Sequence, residues 1–190
     1  VDNLSIFFQM PSLWCSIYKK NFLEKNNIKF LETPGASYQD LSFCFKVYFW
    51  AERYMQINKC LLNYRQTNDS SSVKSKGKVF CVNKEWKEIF KTAKRDAVSY
   101  DKVKNILPII QLNNYRWNYI RIDKKYKDDF LKKWTSEWNY LNKNEINFNK
   151  VPFNKKEKLE SYIILNYSFL YPLISIIYEL KNKIKRFVYD

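Results

Sequence analysis

Residues 30–43, FLETPGASYQDLSF, combine the strongest loop signal in the chain with the start of a helix. Pro34 and Gly35, set among small residues, predict a loop. Ser37 can then cap a helix that runs to about Glu52. Its apolar residues at helical spacing are Leu41, Phe45, Tyr48 and Phe49. We therefore expect an exposed loop that leads directly into an amphipathic helix.

The residues on either side of this loop and helix predict a small sheet. Residues 11–31 start as a helix that ends near residue 27, and residues 28–31 alternate enough for a short strand. Residues 54–65 alternate over a longer stretch, which predicts a second strand, and the polar run 68–72 ends it. The first part of the chain is thus expected to mix helices and strands.

The rest of the chain is helical in pattern. The predicted helices are residues 83–96, 99–120, 123–142 and 155–188. The fold class expected is α+β and mainly α, because the small sheet is confined to the first part and two glycines leave few positions for tight turns. The expected domains are residues 1–80 and a helical region over residues 81–190.

Composition limits the chemistry. The chain has 34 Lys and Arg against 19 Asp and Glu, a net charge of +15 that favours partners with phosphate or anionic lipid. It has no histidine, so any proton abstraction falls to a carboxylate. Its four cysteines form no Cys-x-x-Cys pair and lie among apolar residues, which predicts buried free thiols of a cytosolic protein.

The last predicted helix is apolar over residues 162–178 and then carries four basic residues. With its polar interruptions this stretch is marginal for spanning a bilayer. A helix that lies at the surface of an anionic membrane fits better than a spanning one, but a core helix that packs on the rest of the domain is the interpretation we favour.

Asp40 is the strongest candidate for a catalytic residue. It falls in the first turn of the predicted helix, where unpaired backbone N–H groups and the helix dipole favour the ionised carboxylate. Such a group can serve as a general base towards a hydroxyl. An acid that only stabilises its own helix is the alternative.

The order of motifs over residues 9–80 resembles the second half of family 2 glycosyltransferases that build bacterial surface polysaccharides. Residues 11–23, PSLWCSIYKKNFL, resemble the segment that precedes a short strand in that family. Residues 38–40, YQD, fall where the family has a Glu-Asp pair, and residues 63–72, NYRQTNDSSS, resemble its strand and serine-rich turn. The resemblance implies part of a glycosyltransferase A-type fold, with a small sheet followed by a helical region.

The resemblance also implies roles for single residues. Asp40 would be the base that deprotonates the acceptor hydroxyl while the sugar is transferred with inversion. Gln39 replaces the usual Glu and leaves one carboxylate at the site. Arg65, with Ser70 and Ser71, would lie near the donor diphosphate or the acceptor.

Two aromatic side chains can stack on a sugar ring, Trp14 and Tyr38. A position in the protein core is the alternative for both, and it is the interpretation we favour for Trp14.

The family's donor site is not found in this sequence. There is no Asp-x-Asp motif and no Gly-rich turn that could bind a pyrophosphate. Asp128 and Asp129 are neighbours in a predicted helix and are expected to face solvent. Because the chain also begins without methionine, we expect a preceding nucleotide-binding half, with a Mn²⁺ or Mg²⁺ ion bound there and no metal site here.

The chain alone is therefore expected to be an inactive part of an inverting glycosyltransferase. The complete enzyme would use a nucleotide-sugar donor and a saccharide or lipid-linked acceptor. It would be cytoplasmic, in contact with the anionic inner face of the cell membrane.

A different class of function is a basic helical module that binds nucleic acid or an anionic membrane without catalysis. Residues 114–121 interleave aromatic and basic residues, as nucleic-acid binders do. On a helix, however, Trp117 and Arg121 share one face whereas Tyr115 and Tyr119 share another, so core packing is the better explanation and no nucleic acid is expected. A purely structural fragment that self-associates through an apolar surface is a third alternative.

Overall fold

The computed structural model of the chain describes residues 3–33, 38–63 and 78–189, with side chains described as far as residue 180. Its contacts divide the chain into two units, Val1–Val103 and Lys104–Asp190. Helices α3 and α4, which follow residue 80, belong to the first unit. The boundary expected at residue 80 separates functional parts and not packed units, so it stays a prediction.

The first unit contains four α-helices in its described part. They are α1 (Lys20–Lys25), α2 (Gln39–Trp50), α3 (Cys81–Ala93) and α4 (Ala97–Val103). Two 3₁₀ turns precede them, Leu4–Phe8 and Leu13–Cys15. The helix expected from residue 11 is thus reduced to one 3₁₀ turn and the short α1.

Helix α2 is the centre of the first unit. Residues 41–47 are all buried, because apolar side chains occupy every side of the helix and not a single stripe. One side holds Phe43 and Val47 against Ile28, which precedes the loop. Helix α3 packs along another side with Trp86 and Ile89, each 1% exposed. Each such large apolar side chain contributes about 1.5–3 kcal/mol by leaving water.

The predicted sheet was wrong: the described residues contain no strand. Residues 28–31 are held by side chains of α2, since Lys46 Nζ donates to the carbonyl of Lys29 at 3.0 Å and Gln39 Nε2 donates to that of Leu31 at 3.2 Å. These bonds replace the backbone partner that a strand needs. Residues 54–63 are exposed and have no partner strand among the described residues, and a lone alternating segment is not stable as a strand. Residues 64 and 65 lie outside the described part.

The second unit consists of α5 (Leu107–Arg121), α6 (Lys127–Asn144), α7 (Lys155–Asn166) and α8 (Tyr171–Tyr189). The helix predicted over residues 155–188 is therefore two helices, bent by 118° at a short 3₁₀ turn, Ser168–Leu170. No single helix in the described part has the length and apolarity to cross a bilayer, and α7 with α8 meets that criterion only as a bent pair, on length and composition alone.

An aromatic cluster forms the core of the second unit. The ring of Trp134 lies in its middle, 5.5 Å from the ring of Tyr115, 5.7 Å from that of Trp138 and 5.1 Å from that of Tyr171. All four side chains are buried, and each pair meets edge to face, the arrangement that aromatic quadrupoles favour. The expectation that Tyr115 and Tyr119 point into a core is confirmed.

One buried ion pair joins α5 to α7 within this unit. Arg116 donates from Nε to Glu160 Oε1 at 2.9 Å and from a terminal nitrogen to Oε2 at 2.6 Å. The hydroxyls of Tyr171 and Tyr178 on α8 also donate to Glu160, at 2.8 and 2.6 Å. Burial and the Glu160 charge raise the pKa of both tyrosines, so these hydroxyls stay protonated donors. Glu160 therefore fastens three helices together.

We predict that Glu160→Gln lowers the free energy of unfolding of the chain by about 3 kcal/mol, because it leaves the guanidinium of Arg116 largely buried without its counter-charge. Urea unfolding followed by circular dichroism measures this loss. Asp129→Asn on the exposed face of α6 is the matched control and should change stability by less than about 0.5 kcal/mol. Equal losses in the two variants would contradict the account.

Candidate functional site

The candidate site lies at the first turn of α2, directly after the loop. Tyr38 precedes the helix with φ of 60°, a left-handed conformation that is unfavourable for a residue with a large side chain. Its carbonyl accepts from the N–H of Leu41 at 3.0 Å. Such strain is found where the surrounding structure enforces it, and it is concentrated at functional sites.

Gln39 connects the two ends of the loop. Its amide nitrogen Nε2 lies 3.2 Å from each of three acceptors, the Leu31 carbonyl and the carbonyl and hydroxyl oxygens of Thr33. Only an amide can donate in this way, because an ionised Glu has no hydrogen to give. Gln39 therefore has a structural role that an ionised Glu at this position could not fill.

Asp40 is half-buried at this turn. Burial raises the pKa of its carboxyl, while the backbone N–H groups of Asp40 and Leu41 lower it by a smaller amount. The position of Asp40 at the helix terminus would by itself favour the charged form of its carboxyl. In the structure, loss of solvent outweighs that effect, so Asp40 is a stronger base than an exposed aspartate.

A thiol lies one helical turn from Asp40, and two phenols lie next to that thiol. Cys44 follows Asp40 by one turn on α2, and burial together with the charge of Asp40 raises the pKa of this thiol to about 11. Tyr18 and Tyr48 hydrogen-bond to Cys44, and burial raises the pKa of Tyr48 to about 12. All three groups are therefore neutral at physiological pH, and Cys44 is not a nucleophile here.

Helix α3 contributes a second carboxylate, Glu85, which is fully buried. Its Oε2 accepts from the backbone N–H of Ser42 at 3.2 Å. Burial raises the pKa of Glu85 to about 7, against the lowering effect of Ser42 and Lys46, and the charge of Asp40 raises it further. The sequence left one carboxylate at this site, whereas the structure adds a second from another helix.

A buried lysine connects α2, α3 and the residues before the loop. Lys46 is 6% exposed and its Nζ lies 2.9 Å from Glu88 Oε1 on α3, in addition to its bond with the Lys29 carbonyl. This ion pair fixes the rotation of α2 relative to α3. It therefore fixes the direction in which the first turn of α2 points.

The other predicted site residues have different outcomes. Trp14 lies in a 3₁₀ turn and is 42% exposed, so its interpretation as a core residue was wrong. Tyr38 is partly buried and lies two residues before Asp40. Arg65, Ser70 and Ser71 lie outside the described residues. The sugar-binding role of each stays a prediction.

Four further predictions can be compared with the described residues. All four cysteines are free, but only Cys44 and Cys81 are buried, so burial of Cys15 and Cys60 was wrong. Asp128 and Asp129 are exposed, as expected. Trp117 is 49% exposed with the guanidinium of Arg121 at 4.9 Å from its ring, so this face carries one stacked pair and no platform for successive bases.

An open cavity of about 350 Å³ lies beside the turn after α1 and includes Leu23, Asn27 and Lys29 but no predicted site residue. The described residues hold no group of three Asp, Glu or Cys side chains that fits a metal ion.

Sequence reasoning missed Glu85, Lys46 and Glu88. A signal for them existed, because Ser42 and Lys46 are polar residues four apart inside the otherwise apolar run LSFCFKVYFW. Glu85 and Glu88 are three apart beside Trp86 and Ile89, the residues that face the core. Polar residues at helical spacing within apolar faces indicate a buried polar contact between two helices.

Comparisons with protein-family models, with curated proteins and with solved structures find no match. The likeness to family 2 glycosyltransferases therefore depends on the order of motifs over residues 9–80.

We predict that Glu85 makes the chain less stable as pH rises. The unfolded chain ionises this group near pH 4.5, whereas the folded chain keeps it protonated to about pH 7. Stability should fall across this interval and then level off, by up to about 3 kcal/mol. Glu85→Gln should remove the fall and be the more stable protein at pH 8.

Urea unfolding of both proteins at pH 4.5, 6, 7 and 8 tests this prediction. Glu24→Gln on the exposed surface of α1 is the matched control and should follow the parent protein at every pH. A parallel pH dependence of the parent protein and Glu85→Gln would show that Glu85 is not the titrating group.

Proposed function

We propose that this chain is the acceptor-side part of an inverting glycosyltransferase and that Asp40 is its general base. The observation that carries the proposal is the half-buried Asp40 in the first turn of α2, at the end of a loop, with its pKa raised by burial. Its support is the coincidence of this carboxylate with the family's base position in the YQD motif.

In the proposed reaction, an acceptor hydroxyl lies within hydrogen-bond distance of the Asp40 carboxylate. Asp40 takes the hydroxyl proton as the oxygen attacks the anomeric carbon of the donor sugar. The bond from that carbon to the diphosphate breaks in the same step, so the nucleoside diphosphate leaves with the electron pair and the configuration inverts. The higher pKa of a partly buried carboxyl makes this proton transfer more favourable.

Neighbouring residues would position the acceptor. Gln39 keeps Leu31 and Thr33 next to the first turn of α2, close in the chain to Asp40. Tyr38 and the exposed Trp14 would stack on sugar rings. Arg65, Ser70 and Ser71 would bind the phosphates of the donor or the acceptor.

The donor would be bound elsewhere. The sequence has no Asp-x-Asp motif or Gly-rich phosphate loop, so we propose that another segment binds the nucleotide-sugar and the Mn²⁺ or Mg²⁺ ion. That ion would neutralise the negative charge of the leaving diphosphate. We expect the 190-residue chain alone to transfer no sugar. Nucleotide-sugar chemistry of this kind would place the complete enzyme in the cytoplasm.

The experiment measures transfer from a panel of nucleotide-sugars in the presence of Mn²⁺. It compares the 190-residue chain with the protein expressed from the complete gene. In the active form, Asp40→Asn should lower kcat/KM by about 10²–10⁴-fold, because a general base contributes an effect of that size. The matched control Glu32→Gln removes an exposed carboxylate before the same loop and should keep full activity.

Two results would contradict the proposal. Full activity in Asp40→Asn would exclude Asp40 as the base. Absence of transfer from every nucleotide-sugar, in both forms of the protein, would favour the non-catalytic basic module.

A further inference from the structure

The outer side of α8 carries an unusual amount of exposed apolar surface. Leu173, Ile176, Ile177 and Leu180 follow each other at the spacing of one helix face and are 64%, 50%, 55% and 53% exposed. Single exposed aliphatic residues are common, but a complete helical stripe of them marks a surface that meets an apolar partner.

Further apolar side chains are exposed at the bend and on α7. Phe169 in the 3₁₀ turn is 73% exposed, and Leu159 and Tyr162 on α7 are 61% and 54% exposed. We call these residues together, from α7 through the turn to Leu180, the α7–α8 outer face.

The inner sides of the two helices are fixed within their own unit. Ile164 and Tyr171 are fully buried, and Glu160 accepts hydrogen bonds from Arg116, Tyr171 and Tyr178. A partner that surrounded both helices would have to break this ion pair and its hydrogen bonds. The partner must therefore be one that covers the outer face alone.

Exposed basic residues border the outer face at the start of α7, and further basic residues follow Leu180 in the sequence. Lys155, Lys156 and Lys158 are exposed at the start of α7, and the last turns of α8 carry Lys181, Lys183, Lys185 and Arg186. The acidic residues of both helices already have partners within the unit. Glu157 completes the capping box of α7, Glu160 is in the buried pair, and Glu179 lies 2.8 Å from Lys127.

We propose that the α7–α8 outer face lies on an anionic lipid bilayer, with Phe169 and the aliphatic stripe in the interfacial layer and the exposed lysines at the start of α7 at the headgroups. This combination of an apolar face and a basic border matches such a surface in both its properties. A second copy of the chain would bring two basic borders together, and nucleic acid would leave the aliphatic stripe without an apolar contact. The inference is independent of the sugar-transfer proposal.

Co-sedimentation of the full chain with lipid vesicles tests the proposal. The probes are vesicles of phosphatidylcholine alone and vesicles that also contain about 30–40% phosphatidylglycerol. This anionic lipid gives the vesicle surface a negative potential. We expect at least tenfold tighter binding to the anionic vesicles, weakened by salt. The double variant Ile176→Asn with Ile177→Asn should lower that binding at least tenfold, and Val98→Asn on α4, also exposed, should not.

Charge is tested separately by Lys155→Glu with Lys158→Glu, which should lower binding to anionic vesicles, against Lys132→Glu on the exposed side of α6 as control. Phe169→Asp provides a single-residue change at the bend should the double aliphatic variant fail to fold. Each variant is first compared with the parent protein by urea unfolding.

Three results would overturn the proposal. One is no binding to anionic vesicles. Another is binding that both apolar variants leave unchanged, which would indicate a purely electrostatic attraction. The third is a stable dimer in the absence of lipid that the apolar variants dissociate, which would make a second copy the occupant of this face.

Discussion

The burial of α2 on all sides is the constraint on which the first unit depends. A helix in this position is stable only if its buried charges and amides are paired, because an unpaired one costs several kcal/mol. Lys46 meets this requirement by pairing with Glu88 and by donating a hydrogen bond to the Lys29 carbonyl. The backbone N–H of Ser42 donates to Glu85. The polar contacts of α2 therefore reach α3 on one side and the residues before the loop on another.

The geometry of the candidate site follows from those contacts. Once Lys46 and Gln39 hold residues 29–33 against α2, the loop has both ends fixed close to the first turn. Asp40 then remains at the boundary between the packed interior and solvent, where burial raises its pKa while the residue stays partly exposed. A chemically useful carboxylate thus results from the same packing that stabilises the unit.

The sequence predicted helices well where apolar spacing was regular, and it failed where side chains replaced backbone partners. Helices α3 and α6 were expected within a few residues of their observed bounds, and Tyr115 was placed in a core. The strand at 28–31 failed because its carbonyls are taken by Lys46 and Gln39, which local alternation does not reveal. Asp40 was identified from its place after the loop, whereas Glu85 was not, because its proximity depends on how α3 packs against α2.

The central claim is that packing around the first turn of α2 makes Asp40 a stronger base than an exposed aspartate. Carboxyl-carbon NMR titration of the chain with labelled aspartate measures this directly, with the signal assigned by its loss in Asp40→Asn. The account predicts that Asp40 titrates above the usual range of about 3.5–4, because burial disfavours its ionised form. Titration of Asp40 at or below that range would show that the helix terminus and solvent control this carboxylate, and would contradict the account.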